Sequence, residues 1–283
     1  MYYLIVLSAV TMFAFQILFS ERYENKNGNS FAAVLKFIIT AHSTGFVIMF
    51  AMNKFRLELT PFSLAVAACA AINILLFNIC SIKSFSKINI SLYSVICTLG
   101  GMVLPFLMGI FFYNEGITLG KILCIILIIP ALILTVNKDN SKGGLIYYIG
   151  VFITNGMSGV YSKFYQSGNY EKASEAGYSL QIAAIAVIIC AIMLIFVKDK
   201  KPKMTAVPAL FASGFGVLNS IGNFLLLIGL TQLPASAQYP FVTGGIMIIS
   251  TIICCFTKNK PGKRDFISVA LSLIAILALV FIK

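Results

Sequence analysis

The chain has no tryptophan, a single histidine (His42) and only nine acidic residues among 283. Each scarcity removes a class of function. One histidine and few carboxylates leave little material for a metal centre, and no H-E-x-x-H, G-x-S-x-G or G-x-x-x-x-G-K-[ST] pattern occurs. Catalysis, ATP-driven pumping, a metal site and a cofactor are therefore not expected. The acids Glu21, Glu24, Glu58, Glu115, Asp139, Glu171, Glu175, Asp199 and Asp265 all fall in polar connections or at expected helix ends. No buried carboxylate is expected to neutralise a cation or carry a proton, which disfavours proton-coupled export of cationic drugs.

Charge is sparse as well, at 11% of residues against 59% hydrophobic and a mean hydropathy of +0.96. No stretch remains for a soluble domain of useful size. Ten apolar runs fill the chain instead, at 2–19, 31–52, 62–82, 90–112, 122–136, 145–165, 177–197, 206–230, 236–256 and 266–282. A helix rises about 1.5 Å per residue, so each run can cross a bilayer core of about 30 Å, the fifth and shortest only if the membrane thins. A membrane β-barrel would need alternating segments rather than continuous apolar ones. The sequence thus predicts an all-α integral membrane protein with ten transmembrane helices. The first run has no basic segment before it and no small-x-small cleavage site after it, and reads as a retained helix. All seven cysteines (Cys69, Cys80, Cys97, Cys124, Cys190, Cys254, Cys255) lie in apolar runs and imply packing rather than disulfides.

The net charge of +12 resides in the connections, where it anchors and orients helices; no nucleic-acid partner is expected. One set of alternate connections carries fifteen of the 21 Lys and Arg residues, among them Arg22, Lys26, Lys83, Lys87, Lys138, Lys142 and Lys198. The positive-inside rule would place both termini outside.

Sliding the chain against itself by 145 residues superposes the first five runs on the second five without a gap from Tyr2 to about Gly101. Tyr2 and Tyr3 fall on Tyr147 and Tyr148, Asn78 on Asn223, Ser91 on Ser236, Thr98 on Thr243 and Gly100 on Gly245. The expected organisation is a first repeat at 1–137, a connection at 138–144 and a second repeat at 145–283. Five crossings are an odd number, so the second copy enters the membrane in the opposite sense: a 5+5 inverted-topology repeat around a central cavity, the geometry of alternating access.

Pro105 in the fourth run is followed by Asn114-Glu115-Gly116-Ile117-Thr118, and Leu233-Pro234-Ala235-Ser236 precedes the ninth run with Pro240 inside it. With these features the chain resembles the drug/metabolite transporter superfamily in its ten-helix, EamA-like form. Lys258, Asn259 and Lys260 stand where the second repeat of that family usually has its glutamate. The resemblance implies ten helices around a central cavity, with the fifth and tenth peripheral. It implies export or exchange of small metabolites, and termini in the cytoplasm. That last point opposes the charge count, and orientation stays open.

Polar side chains at mid-membrane depth mark the candidate site. Asn219 and Asn223 are four apart on one face of the eighth helix, and Asn78 is the repeat partner of Asn223. They can bind a polar substrate or bond between helices. Gln238, Tyr239 and Thr243 surround Pro240, which leaves the carbonyl of Ser236 without a helical donor; Tyr93 and Thr98 accompany Pro105, which does the same for Gly101. The sixth helix aligns Asn155, Ser158 and Ser162, with Tyr161 and Tyr165 adjoining. His42 could couple a proton, although a neutral imidazole bonded to a neighbouring helix is the favoured reading. The expected function is a secondary transporter of a small neutral or zwitterionic polar metabolite in the plasma or inner membrane. A lipid or lipid-linked-sugar translocase is the alternative. The expected partners are the small-molecule substrate and membrane lipid, with a homodimer left open.

Overall fold

The computed structural model describes residues 2–28, 30–85, 90–134, 145–197, 204–255 and 262–282. They form ten helices: α1 (Tyr2–Asn27), α2 (Phe31–Met52), α3 (Pro61–Phe85), α4 (Ile90–Tyr113), α5 (Leu119–Leu134), α6 (Leu145–Ser167), α7 (Glu175–Phe196), α8 (Ala206–Leu230), α9 (Ala235–Cys255) and α10 (Lys263–Phe281). No strand occurs among the described residues.

Local chemistry sets the helix ends. Ser30 and Ser174 accept from the backbone N–H of Ala33 and Gly177, capping α2 and α7, and Thr118 accepts from Lys121 N–H at the start of α5. Pro61 opens α3, where a missing N–H costs nothing. α1 runs eight residues beyond the apolar run that ends at 19, because no breaker intervenes before Gly28, whose φ of 74° ends it. Tyr23 anchors this polar extension: its buried hydroxyl donates to Ala33 O at 2.7 Å and accepts from Asn27 Nδ2 at 2.8 Å.

Seven helices (α1, α2, α3, α4, α7, α8 and α9) are long and apolar enough to cross a membrane, which fits a multi-pass membrane protein. α5 and α10 are shorter apolar helices. The polar side chains of Asn155, Ser158, Ser162 and Lys163 set α6 apart from the seven. Around the bundle, Leu4, Val47, Phe112, Ile146, Ile195 and Phe196 point outward, with Phe112 78% exposed. So continuous an apolar surface suits acyl chains rather than water.

α1 packs on α8 and α9, α6 on α3 and α4, α2 on α7 and α8, α3 on α7, α4 on α9, and α5 on α10. α9 is the innermost element, buried at every position from Ala235 to Gly245. Its Phe241 and Val242 join Val6, Val10 and Phe13 of α1, Met102 of α4, Ile128 of α5 and Leu279 of α10 in the main core. Small residues permit the closest crossings. A Cβ at Gly100 would collide with the Phe152 carbonyl where α4 meets α6, and one at Gly216 with the Ala41 carbonyl where α8 meets α2.

Candidate functional site

A cavity of about 130 Å³ lies among α4, α6, α8 and α9, lined by Gly101, Asn155, Ser158, Gly159, Ser162, Asn223, Leu226 and Tyr239. The unusual polarity of α6 is explained by this placement, since its stripe of small polar residues faces the hollow rather than lipid. Asn155 Nδ2 donates to Cys97 O of α4 at 2.6 Å, and the absence of a side chain at Gly101 makes room for that amide. Pro105, one turn further, has no N–H to offer the Gly101 carbonyl. Tyr239 reaches across from α9 and donates to Gly159 O at 3.1 Å. A Cβ at Gly159 would press on both Pro105 and the Tyr239 ring, so this glycine sets the distance between α4, α6 and α9.

Of the residues singled out from sequence, Asn155, Asn223 and Tyr239 share the cavity wall. The others are distributed elsewhere. Asn219 lies one turn from Asn223 and receives its amide, Asn223 Nδ2 donating to Asn219 O at 2.8 Å and to Asn219 Oδ1 at 3.1 Å. Asn78 donates to Ile74 O within α3. Tyr161 packs against the cluster of Val66, Ala67, Tyr165, Tyr178 and Leu227. Gln238 is fully buried and turned toward α8, donating to Leu226 O at 2.9 Å. Thr243 is buried in α9. The side chain of Tyr93 lies outside the described residues, as do Lys258, Asn259 and Lys260. His42 is half-buried on α2; the expected bond to a neighbouring helix is not found among the described residues.

One expectation is corrected. Glu115 belongs to a connection, yet its side chain is only 8% exposed and lies 2.8 Å from the ammonium of Lys163 on α6. It also accepts the backbone N–H groups of Ala235 and Ser236 at 2.9 and 2.8 Å, together with the Ser236 hydroxyl. A carboxylate thus caps the first turn of α9 from another part of the chain, where the helix leaves N–H groups unpaired. Burial alone would raise its pKa; the hydrogen bonds from Lys163, Ser236 and the α9 backbone outweigh that and hold it below the ordinary glutamate value. Glu115 and Thr118 therefore have separate duties, the first capping α9 and the second α5.

The same end of the bundle holds a second network. Ser174 N–H and Gln181 Nε2 donate to Glu58, the Ser174 hydroxyl to Asn53 Oδ1 at 2.7 Å, and Ala173 N–H to Ser63 Oγ at 2.8 Å. Gln166 Nε2 joins α6 to Leu227 O of α8 at 3.1 Å. The connections at 53–60, 114–118, 168–174 and 231–234 gather here. Sequence reasoning missed both networks and also the lining role of Gly159 and Leu226, because each depends on a partner more than 60 residues away or on an adjacent helix.

No protein-family model matches the chain, and no curated protein matches it. A solved structure described as "Crystal structure of protein" superposes with a TM-score of 0.78 over 98% of this chain and 95% of that one, at 11% sequence identity. At that identity the likeness establishes a shared fold along almost the whole chain and nothing about activity.

Proposed function

We propose that this protein is a secondary transporter of the drug/metabolite type, moving a small neutral or zwitterionic polar metabolite across the cell membrane by alternating access. The observation that carries the reading is the small cavity bounded by α4, α6, α8 and α9, whose wall carries Asn155, Ser158, Ser162, Asn223 and Tyr239 in a largely apolar bundle. Polar groups at membrane depth persist where they serve a ligand or one another.

A 5+5 inverted repeat forms part of this proposal. In its support, exchanging each helix for the one five places along converts the packing of α1 on α8 and α9 into that of α6 on α3 and α4, and leaves α2 on α7, α4 on α9 and α5 on α10 unchanged. The cross-tied connections at one end of the bundle are what a conformation closed on that side requires. Reconstitution into proteoliposomes tests the reading. Metabolites that stabilise the purified protein against heat should show saturable counterflow, and the absence of counterflow for every stabilising metabolite would reject it.

A second reading, lipid or lipid-linked-sugar translocation, draws on a lipid-facing groove of about 340 Å³ between α4 and α6, lined by Leu104, Leu107, Met108, Phe111, Phe112, Met157 and Val160. It predicts scrambling of a fluorescent phospholipid in the same vesicles.

A further inference from the structure

The polar atoms of the cavity divide unevenly into donors and acceptors. Asn155 Nδ2 faces the Cys97 carbonyl, and because a carbonyl only accepts, the amide oxygen must be directed away from it. Asn223 directs its amide nitrogen to two acceptors of its own helix, at Asn219. The Tyr239 hydroxyl proton goes to Gly159 O, and that of Ser162 to Ser158 O at 3.1 Å. What remains to be given to a ligand is one amide proton of Asn155 and the hydroxyl of Ser158. What remains to accept is larger: the amide oxygens of Asn155 and Asn223, the Gly101 carbonyl opposite Pro105, and one hydroxyl oxygen of the Tyr239 and Ser162 pair, whose hydroxyls also bond to each other. No ionised side chain lines the hollow. Lys163, the residue after Ser162, has its ammonium on Glu115.

Resting on the transporter reading, we infer that this cavity receives the primary-ammonium end of its substrate. An ammonium brings three donors and no acceptor, the complement of this wall. Carbonyl-type oxygens can replace the hydration of a cation without a counter-charge, as selectivity filters do. A carboxylate would add acceptors to acceptors and leave them unpaired, a mismatch that binding sites reject strongly. A fully alkylated ammonium offers no N–H and would have to fill about 130 Å³ without a hydrogen bond. The charge of a zwitterion is then divided, its ammonium in the cavity and its carboxylate outside this wall.

The test uses the full chain, purified in detergent, with thermal unfolding followed at matched ionic strength in ethylammonium chloride, sodium propionate or tetramethylammonium chloride. Ethylammonium should raise the midpoint in a saturable manner, and the other two should not. Asn223→Leu should weaken that binding at least tenfold, and Asn223→Asp should strengthen it by a similar factor. Both variants are first required to elute as the wild type does in size exclusion; if both misfold, Ser162→Ala, which removes one hydroxyl acceptor, should weaken binding severalfold. No shift with ethylammonium up to about 100 mM, an equal shift with propionate, or a shift indifferent to these substitutions would overturn the inference. Failure of transport reads differently. Binding of ethylammonium without counterflow of labelled zwitterionic amines such as glycine and alanine would reject the transporter and leave the ammonium site standing. Counterflow of a neutral polar solute without amine binding would do the reverse.

Discussion

The Lys163 ammonium lies 2.8 Å from the Glu115 carboxylate, and through that pair α6, the α4–α5 connection and the first turn of α9 are joined in one knot. Both side chains are nearly buried, at 11% and 8% exposed. Removing one partner of such a pair leaves the other charged and desolvated. Glu115→Ala should therefore destabilise the protein by about 3 kcal/mol. Lys163→Met should cost less than Glu115→Ala, because the α9 N–H groups still satisfy the carboxylate. A double-mutant cycle on thermal midpoints checks the coupling, and additive single effects would show that the pair is not a unit.

Acidification should act through the same carboxylate. Its folded pKa is held below the ordinary glutamate value by Lys163, Ser236 and the α9 backbone against the opposing effect of burial. The unfolded chain then binds the proton first, so the stability contributed by the ionised group is complete above the ordinary glutamate range. It is lost as pH falls through that range toward the lower folded value. The thermal midpoint should decline on acidification more steeply for the wild type than for Glu115→Gln.

Asn223→Ala and Tyr239→Phe should lower counterflow of a transported solute while leaving expression intact. Each removes one polar contact of the cavity wall, worth about 1 kcal/mol, or a loss on the order of fivefold to tenfold in transport efficiency. Normal transport in both variants would place the substrate elsewhere.

Gly100→Ala should destabilise by about 1–3 kcal/mol, because the added methyl meets backbone of α6 that has no room to yield. Gly116→Ala serves as the comparison, since nothing lies within 4 Å of a Cβ there, and it should be close to neutral. Equal midpoints for the two would argue against tight α4–α6 packing.

Much of the helix pattern was legible in the residues. The ten apolar runs anticipate ten helices, and the larger boundary errors fall where polar residues continue a helix, as Ser20 to Asn27 do at the end of α1. Hydrophobicity marks burial in lipid, whereas a helix ends where its hydrogen bonding ends, at Gly28. The spacing of Asn155, Ser158 and Ser162 also indicated a polar stripe on α6, and that stripe lines the cavity. Asn78 and Gln238 carried the same kind of signal, yet neither lines the hollow, and each bonds to helix backbone instead. An amide in an apolar run must find a partner, and composition does not say whether that partner is a ligand or a helix.

By itself the amino-acid order determined that this chain belongs in lipid, as a row of helices with polar residues at identifiable depths, because hydrophobic run length and turn chemistry are local properties. Which helices enclose the cavity, how the acids at 58 and 115 tie one end together, and which hydrogen-bond donors are already engaged were decided only in three dimensions. The physical reason is that a cavity wall and an ion pair are relations between segments far apart in the chain, and their geometry follows from how the helices cross.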